Sequence, residues 1–412
     1  VASATPKPAP TQAPPTPFSL TEVVATQGLP AHAKARHYAL FTEIWELVRD
    51  RYAYADYRGL DWAAIGEEYG AKVTLVTSDE EFYALMQEMI DLLGDEHSAF
   101  LSPEQVAWAD AVNQSLQIPG GIGALVHEID GEPTLLQVFP GNPGYEAGLR
   151  PGERILAVDG VTWAQFSGVW ELILAITGEA GTEVLLTVRS LDGSEREVTV
   201  TRATVNLKDT TVQARMIEGS QVGLLTLSAF DLEQVPDQVR GALVELAGDN
   251  TLEGLIVDIR ANPGGLHEAM LATLALFVDG GSIGTRMGRE VVLEVMIPEG
   301  QTMPEVQALP LVVLTGRQTQ SAAECFAVGL QLFDRATIVG LPTAGNTETL
   351  PYRRLAGGAE VAIAEWAYYL PDGTSIEGIG LQPDLVVEGF WWVEDPGEDP
   401  QIQAAIEVLR SQ

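Results

Sequence analysis

Apolar positions recur every three or four residues from about residue 33 to 110, the spacing of helices that bury one face. HYALFTEIWELVRDRY carries this pattern, and SDEEFYALMQEMIDLLGDEH repeats it behind a capping box of Ser78 and Glu81. Phe82, Leu85, Met86, Met89, Ile90 and Leu93 fall on one face of the second helix. Gly94 is its natural stop, which leaves Asp95, Glu96 and His97 on the loop beyond. From about 116 to 204 the period shortens to that of strands broken by glycine turns. From about 210 to 395 buried strands alternate with helices: VGLLTLSAF, a helix face of Val239, Ala242, Leu243 and Leu246, then LEGLIVDIR, LVVLTG and ATIVG. Strand, glycine turn and helix in that order imply a mostly parallel sheet with helices packed on it.

One join in this pattern bears on chemistry. LVVL reads as a strand, Ala322, Ala323, Phe326, Ala327 and Leu330 as a helix face, and Ser321 stands between them. A hydroxyl there is either an N-cap or a nucleophile whose oxyanion would feel the helix N–H groups. The two readings differ in whether a base lies within reach.

Composition narrows the field. The 412 residues suffice for two or three domains, and no run of 18 apolar residues offers a membrane span. A net charge of −35 argues against nucleic acid or an anionic membrane as partner. The single cysteine, Cys325, falls on the apolar face of the Ser321 helix and reads as a small hydrophobe. Residues 1–32 read as a disordered Pro/Ala/Thr-rich tether, typified by VASATPKPAPTQAPPTP, of the kind left when an exported protein loses its signal or anchor; an extracellular or cell-envelope location is the expectation. The histidines are scattered and the acidic residues lack ligand spacing, so no metal and no cofactor is expected.

The passage GGIGALVHEIDGEPTLLQVFPGNPGYEAGLRPGERILAVDGV resembles a bacterial PDZ domain. The resemblance spans about residues 116–204. It implies that the loop Gly120, Gly121, Ile122 and Gly123 binds a peptide's C-terminal carboxylate through successive N–H groups while the peptide adds as a strand. Around it, IVDIRANPGG, SAAE, VGLPTAG and EGIGLQPD occur in an order that resembles the C-terminal processing (tail-specific) peptidases. The fold this implies is an α+β multidomain chain. A helical N-terminal region occupies 33–110, the PDZ-like β domain 116–204, and a crotonase-like (ClpP/crotonase) α/β protease core 210–395, with a C-terminal helix in 396–412. The activity implied is that of a serine endopeptidase acting on unfolded polypeptides or exposed C-termini.

In the better-known branch of that family a lysine after the T-x-G turn activates the serine. Here Thr343-Ala344-Gly345 is followed by Asn346, whose amide accepts no proton at neutral pH. The lysines, Lys7, Lys34, Lys72 and Lys208, all lie far from Ser321 in sequence. Histidine is the remaining base of suitable strength. His32 and His37 flank the start of the first helix and are expected to be solvated; His127 lies in the PDZ-like strand. His97 and His267 remain, and His267 opens a helix whose dipole disfavours its cation.

His97 stands in DEHS, which resembles the segment that supplies the general base in the tricorn-core branch and a related chlamydial protease. The same resemblance assigns Glu377 the orienting role. The implied site is Ser321, His97 and Glu377, with oxyanion donors from Gly264 or Gly265 and from Ala322. Glu324 reads as a first-turn helix charge. Two other readings remain open: a non-catalytic peptide-binding protein on the same fold, since the dyad lysine is lost, and a PDZ adaptor for a partner protease.

Overall fold

A computed structural model describes residues 29–95, 97–248, 252–392 and 397–412. Most of the expected tether therefore lies outside the described residues. The chain forms two compact units, and each draws on separated stretches of sequence. One comprises residues up to Asp110 with Thr285–Glu294 and Glu348–Tyr369; the other comprises Ala111–Gly284, Val295–Thr347 and Leu370–Gln412.

The first unit is built on the helices Ala31–Arg51, Trp62–Val73 and Asp79–Asp91. Their apolar faces meet as the periodicity requires: Phe41, Ile44, Trp45 and Val48 pack with Phe82, Met86, Met89 and Ile90. Trp45 and Trp62 each donate an indole N–H to the other's carbonyl oxygen, at 2.9 and 3.0 Å, so two large rings are buried without an orphaned donor. Ser78 caps the third helix by accepting from the Glu81 N–H, and Glu81 returns to the Thr77 N–H. The strand Ala99–Leu101 pairs antiparallel with Glu360–Ala362. That pairing brings Leu355, Ala359, Val361 and Ile363 into the helical core.

The expectation that His37 is solvated is corrected. The ring is 1 % exposed, stacked on Phe82 at 4.2 Å with Nε2 against Asp79. Position 37 falls on the inward stripe with Phe41 and Ile44, and burial follows from that stripe.

In the second unit, a sheet orders its strands Ala124–Ile129, Glu132–Val138, Arg154–Val158, Glu183–Arg189 and Glu195–Thr201, with Val161–Thr162 appended to the third. Ala124–Ile129 is an edge. Leu135, Leu149, Ile155, Leu172 and Leu186 fill the core beneath it. A second, mostly parallel sheet runs Val212–Met216, Val222–Leu227, Gly254–Asp258, Leu311–Thr315, Thr337–Gly340, Leu385–Val386. Its first pair is antiparallel and the rest parallel. Leu311–Thr315 is buried along its whole length, as a strand covered on both faces must be. The helix Pro400–Ser411 packs Ile402, Ala405, Ile406 and Leu409 against Ile256, Val312, Leu314 and Val339.

A buried ion pair ties that helix to the strand ends. Arg260 donates to Asp399 at 2.7 Å and to Asp258 at 2.7 Å. Burial alone would weaken the guanidinium's hold on its proton, but the two carboxylates outweigh it and keep Arg260 charged. Asp399 also caps the helix, accepting from the Gln401 and Ile402 N–H groups. Asp399→Ala is expected to cost about 3–5 kcal/mol in urea unfolding, because it removes one of the two carboxylates that pair a buried cation and uncaps a helix. Asp399→Asn keeps the cap and is expected to cost less.

Candidate active site

The strand Leu311–Thr315 ends in a turn that delivers Ser321 to the head of the helix Ala322–Leu332. The turn is tied from within and from both sides. Thr319 accepts from the Gly316 N–H and donates to the Ile259 carbonyl, and its own carbonyl accepts from the Ala344 N–H. The Gln320 N–H donates to the Asn262 carbonyl and the Ser321 N–H to the Asn346 carbonyl, at 3.0 and 2.8 Å. Ser321 itself is held at φ 54°, ψ −122°. For a residue with a side chain, such a conformation costs roughly 1–3 kcal/mol and persists only where the surroundings impose it.

The imposing group is Glu324. Its side chain is fully buried, and its carboxylate accepts from the Thr343 hydroxyl and from the N–H groups of Gly345, Asn346 and Ser321. Burial raises its pKa, the four donors acting in the opposite sense without cancelling it. Glu324 stands in the first helical turn, as expected, but it is buried there and joins the Ser321 turn to the segment Thr343–Asn346. Position 324 follows Ser321 at the spacing of a capping box, a signal that could have marked it.

The second approach to Ser321 comes from the glycine turn. Gly264 has φ +100°, and a Cβ there would lie 2.7 Å from the Ser321 Cβ, so only glycine fits. Asn262, fully buried and assigned no role from sequence, organises this turn. Its Oδ1 accepts from the Gly264 N–H at 2.8 Å and its Nδ2 donates to the Leu227 carbonyl. Gln137 adds a tie from the neighbouring sheet, donating to the Ala261 carbonyl at 2.9 Å.

Of the three expected oxyanion donors, Gly264 thus has its N–H engaged. The N–H groups of Gly265 and Ala322 have no acceptor within reach among the described residues. Gly265 is exposed, and Ala322 lies at the positive end of an eleven-residue helix.

Glu377 reaches the same turn from its far side. Its Oε2 accepts from the N–H and the hydroxyl of Thr347, at 2.8 and 3.0 Å. The Gly378 N–H donates to the Gly345 carbonyl, and the Thr343 hydroxyl donates to Glu324 while accepting from the Leu381 N–H. Asn346 and Thr347 therefore contact Ser321 and Glu377 from adjacent positions.

His97 belongs to the first unit. It sits half-buried on a loop where Asp95 accepts from the His97 N–H at 3.1 Å, from the Ser98 N–H at 2.6 Å and from the Ser98 hydroxyl at 2.7 Å. His267 opens the helix His267–Leu274, as its sequence position required.

The loop Gly120–Gly123 stands apart from these contacts. Its carbonyls at Gly120, Ile122 and Gly123 accept from the N–H groups of Gly178, Gly144 and Phe139. The N–H groups of Ile122 and Gly123 have no acceptor among the described residues. No group of His, Cys, Asp and Glu able to hold a metal occurs among the described residues, and no helix there is long and apolar enough to cross a membrane.

Comparison with known proteins bears on this geometry. Residues 221–387 match the model of peptidase family S41, and residues 34–91 match that of the tricorn protease C1 domain. The carboxyl-terminal-processing protease of Synechocystis sp. is 31 % identical over 383 residues, covering 90 % of this chain and 86 % of that one. The chloroplastic C-terminal processing peptidase of Tetradesmus obliquus is 27 % identical, covering 87 % and 79 %. The structure of a photosystem II D1 C-terminal processing protease superposes with a TM-score of 0.67 at 25 % identity, covering 85 % of this chain and 93 % of that one.

The role of Glu324 is open to test. The folded protein retains the Glu324 proton at pH values where the unfolded chain has released it. Stability is therefore expected to fall as pH rises from the ordinary carboxyl value of 4.5 towards the raised one. Urea unfolding of Glu324→Gln across that range is expected to lack this slope. Because an amide N–H then faces backbone donors beside Ser321, kcat is expected to fall about tenfold or more.

Proposed function

The chain belongs to peptidase family S41 and is a serine peptidase, and we propose that it cleaves polypeptides by acyl transfer through Ser321, His97 and Glu377. The observation that carries this reading is Ser321 itself. It is held in a strained conformation beside two N–H groups, of Ala322 and Gly265, that have no acceptor among the described residues. In the proposed reaction the Ser321 hydroxyl attacks the scissile carbonyl carbon and passes its proton to His97. The oxyanion forms against the Ala322 and Gly265 N–H groups, each worth roughly 3 kcal/mol in the transition state. His97 then protonates the departing amine, and water, deprotonated by His97, releases the acyl group. Glu377 orients the imidazole and stabilises its cation.

The choice of His97 as base is supported by Asn346, which stands where related enzymes carry lysine and has no basic site. It is supported also by the tricorn C1 match, which runs through the helices leading into the His97 loop.

Residues 116–204 are proposed to act as a PDZ domain on a crotonase-like core of 210–395. The Ile122 and Gly123 N–H groups would take a substrate's terminal carboxylate, and the edge strand Ala124–Ile129 would pair with its last residues. The composition of the tether fits an exported enzyme. The competing reading, a peptide-binding protein without activity, is favoured only by the loss of lysine at position 346.

The test is cleavage of denatured casein by wild type and His97→Ala from pH 5 to 9, with a second unfolded substrate whose C-terminus is free or amidated. Wild type is expected to cut the unfolded substrates. His97→Ala is expected to be inactive, and amidation to raise KM. Full activity in His97→Ala would move the base elsewhere, equal cleavage of both tails would remove the PDZ role, and no cleavage of any substrate would favour the binding protein.

A further inference from the structure

The backbone around Arg58 is strained at successive positions: Tyr57 and Arg58 have φ of 51° and 53°, followed by Gly59 at 89°. Left-handed conformations of this kind at residues with side chains have to be imposed by neighbouring contacts. Those contacts converge on the Arg58 guanidinium. One nitrogen donates to Glu348 Oε1 at 2.5 Å and another to the Gly94 carbonyl at 3.2 Å. The group lies over the Tyr54 ring, whose hydroxyl donates to the same Glu348 oxygen at 2.9 Å. The Glu348 side chain is fully buried.

What Arg58 joins is more telling than how strongly it binds. Gly94 heads the loop that carries His97, and the remainder of that loop is fixed by Asp95 and by Ser98, whose hydroxyl accepts from the Ala364 N–H. Glu348 directly follows Thr347, the residue that holds Glu377. The contacts of Arg58 and the proposed triad therefore share two short segments of chain.

We propose that Arg58 is a positioning residue for acyl transfer: one guanidinium grips the head of the His97 loop and the buried Glu348, holding the loop that carries the base. This inference rests on the assignment of His97 as base. It depends on the planar fork of arginine. A lysine at the same position supplies a charge for Glu348 but not a second donor aimed at Gly94.

The experiment compares full-length wild type, Arg58→Lys, Glu348→Gln and His97→Ala by thermal unfolding and by steady-state cleavage of a fluorogenic peptide that wild type cuts. Arg58→Lys is expected to keep Tm within about 4 °C and KM within about twofold while kcat falls about tenfold or more. Glu348→Gln retains the Arg58–Gly94 bond and is expected to lower kcat less. Wild-type kcat in Arg58→Lys, with His97→Ala inactive, would overturn the positioning role and leave the triad standing. A loss of kcat that appears only with a collapse in Tm would overturn it in favour of a purely structural arginine. Activity in His97→Ala would overturn the triad itself, and this inference with it.

Discussion

The site depends on one buried carboxylate. Glu324 accepts four hydrogen bonds from groups that belong to the Ser321 turn and to the segment Thr343–Asn346. A carboxylate can do this because it only accepts, and each of its oxygens offers two lone pairs. No neutral side chain of the same size has that capacity. From this anchor the other distances follow. The Ser321 N–H is directed at the Asn346 carbonyl, Thr347 is presented to Glu377, and the first N–H of the helix Ala322–Leu332 has no acceptor among the described residues. The strain at Ser321 is thus a consequence of satisfying a buried charge.

A second constraint acts through glycine and asparagine. Gly264 lets the turn approach Ser321 at a distance that no Cβ would permit, and Asn262 occupies its N–H, while the Gly265 N–H has no acceptor among the described residues. The division of labour is physical. One glycine supplies close approach, and an asparagine holds the turn around it.

Much of this was legible in the chain. The 3.6-residue periodicity located the helices of the first unit, and the strand-to-helix join singled out Ser321. The resemblance to the C-terminal processing peptidases pointed to Gly264, Gly265 and Glu377, and the first of these lies against Ser321. Other features were hidden for identifiable reasons. Residues 285–294 and 348–369 complete the helical unit, and strand pairing across such separations leaves no local signal. His37 looked like a surface residue because a polar side chain on an apolar stripe reads as an exception until its partner, Asp79, is seen. Glu324 was read as a first-turn charge because first-turn acidic residues are common on exposed helices. Only tertiary contact reveals that this one faces inward. Arg58 carried no motif, since its importance lies in the two segments it joins.

Asn346 holds Ser321 through its main-chain carbonyl, while its side-chain amide offers no basic site. The central claim is therefore that Ser321 is the nucleophile and is activated by histidine. The most direct measurement is the rate at which a fluorophosphonate modifies the protein, followed by intact mass and peptide mapping in wild type, Ser321→Ala and His97→Ala. A single adduct on Ser321, absent in Ser321→Ala and formed about a hundredfold or more slowly in His97→Ala, is the predicted result. An adduct on another residue, or a wild-type rate without His97, would contradict it.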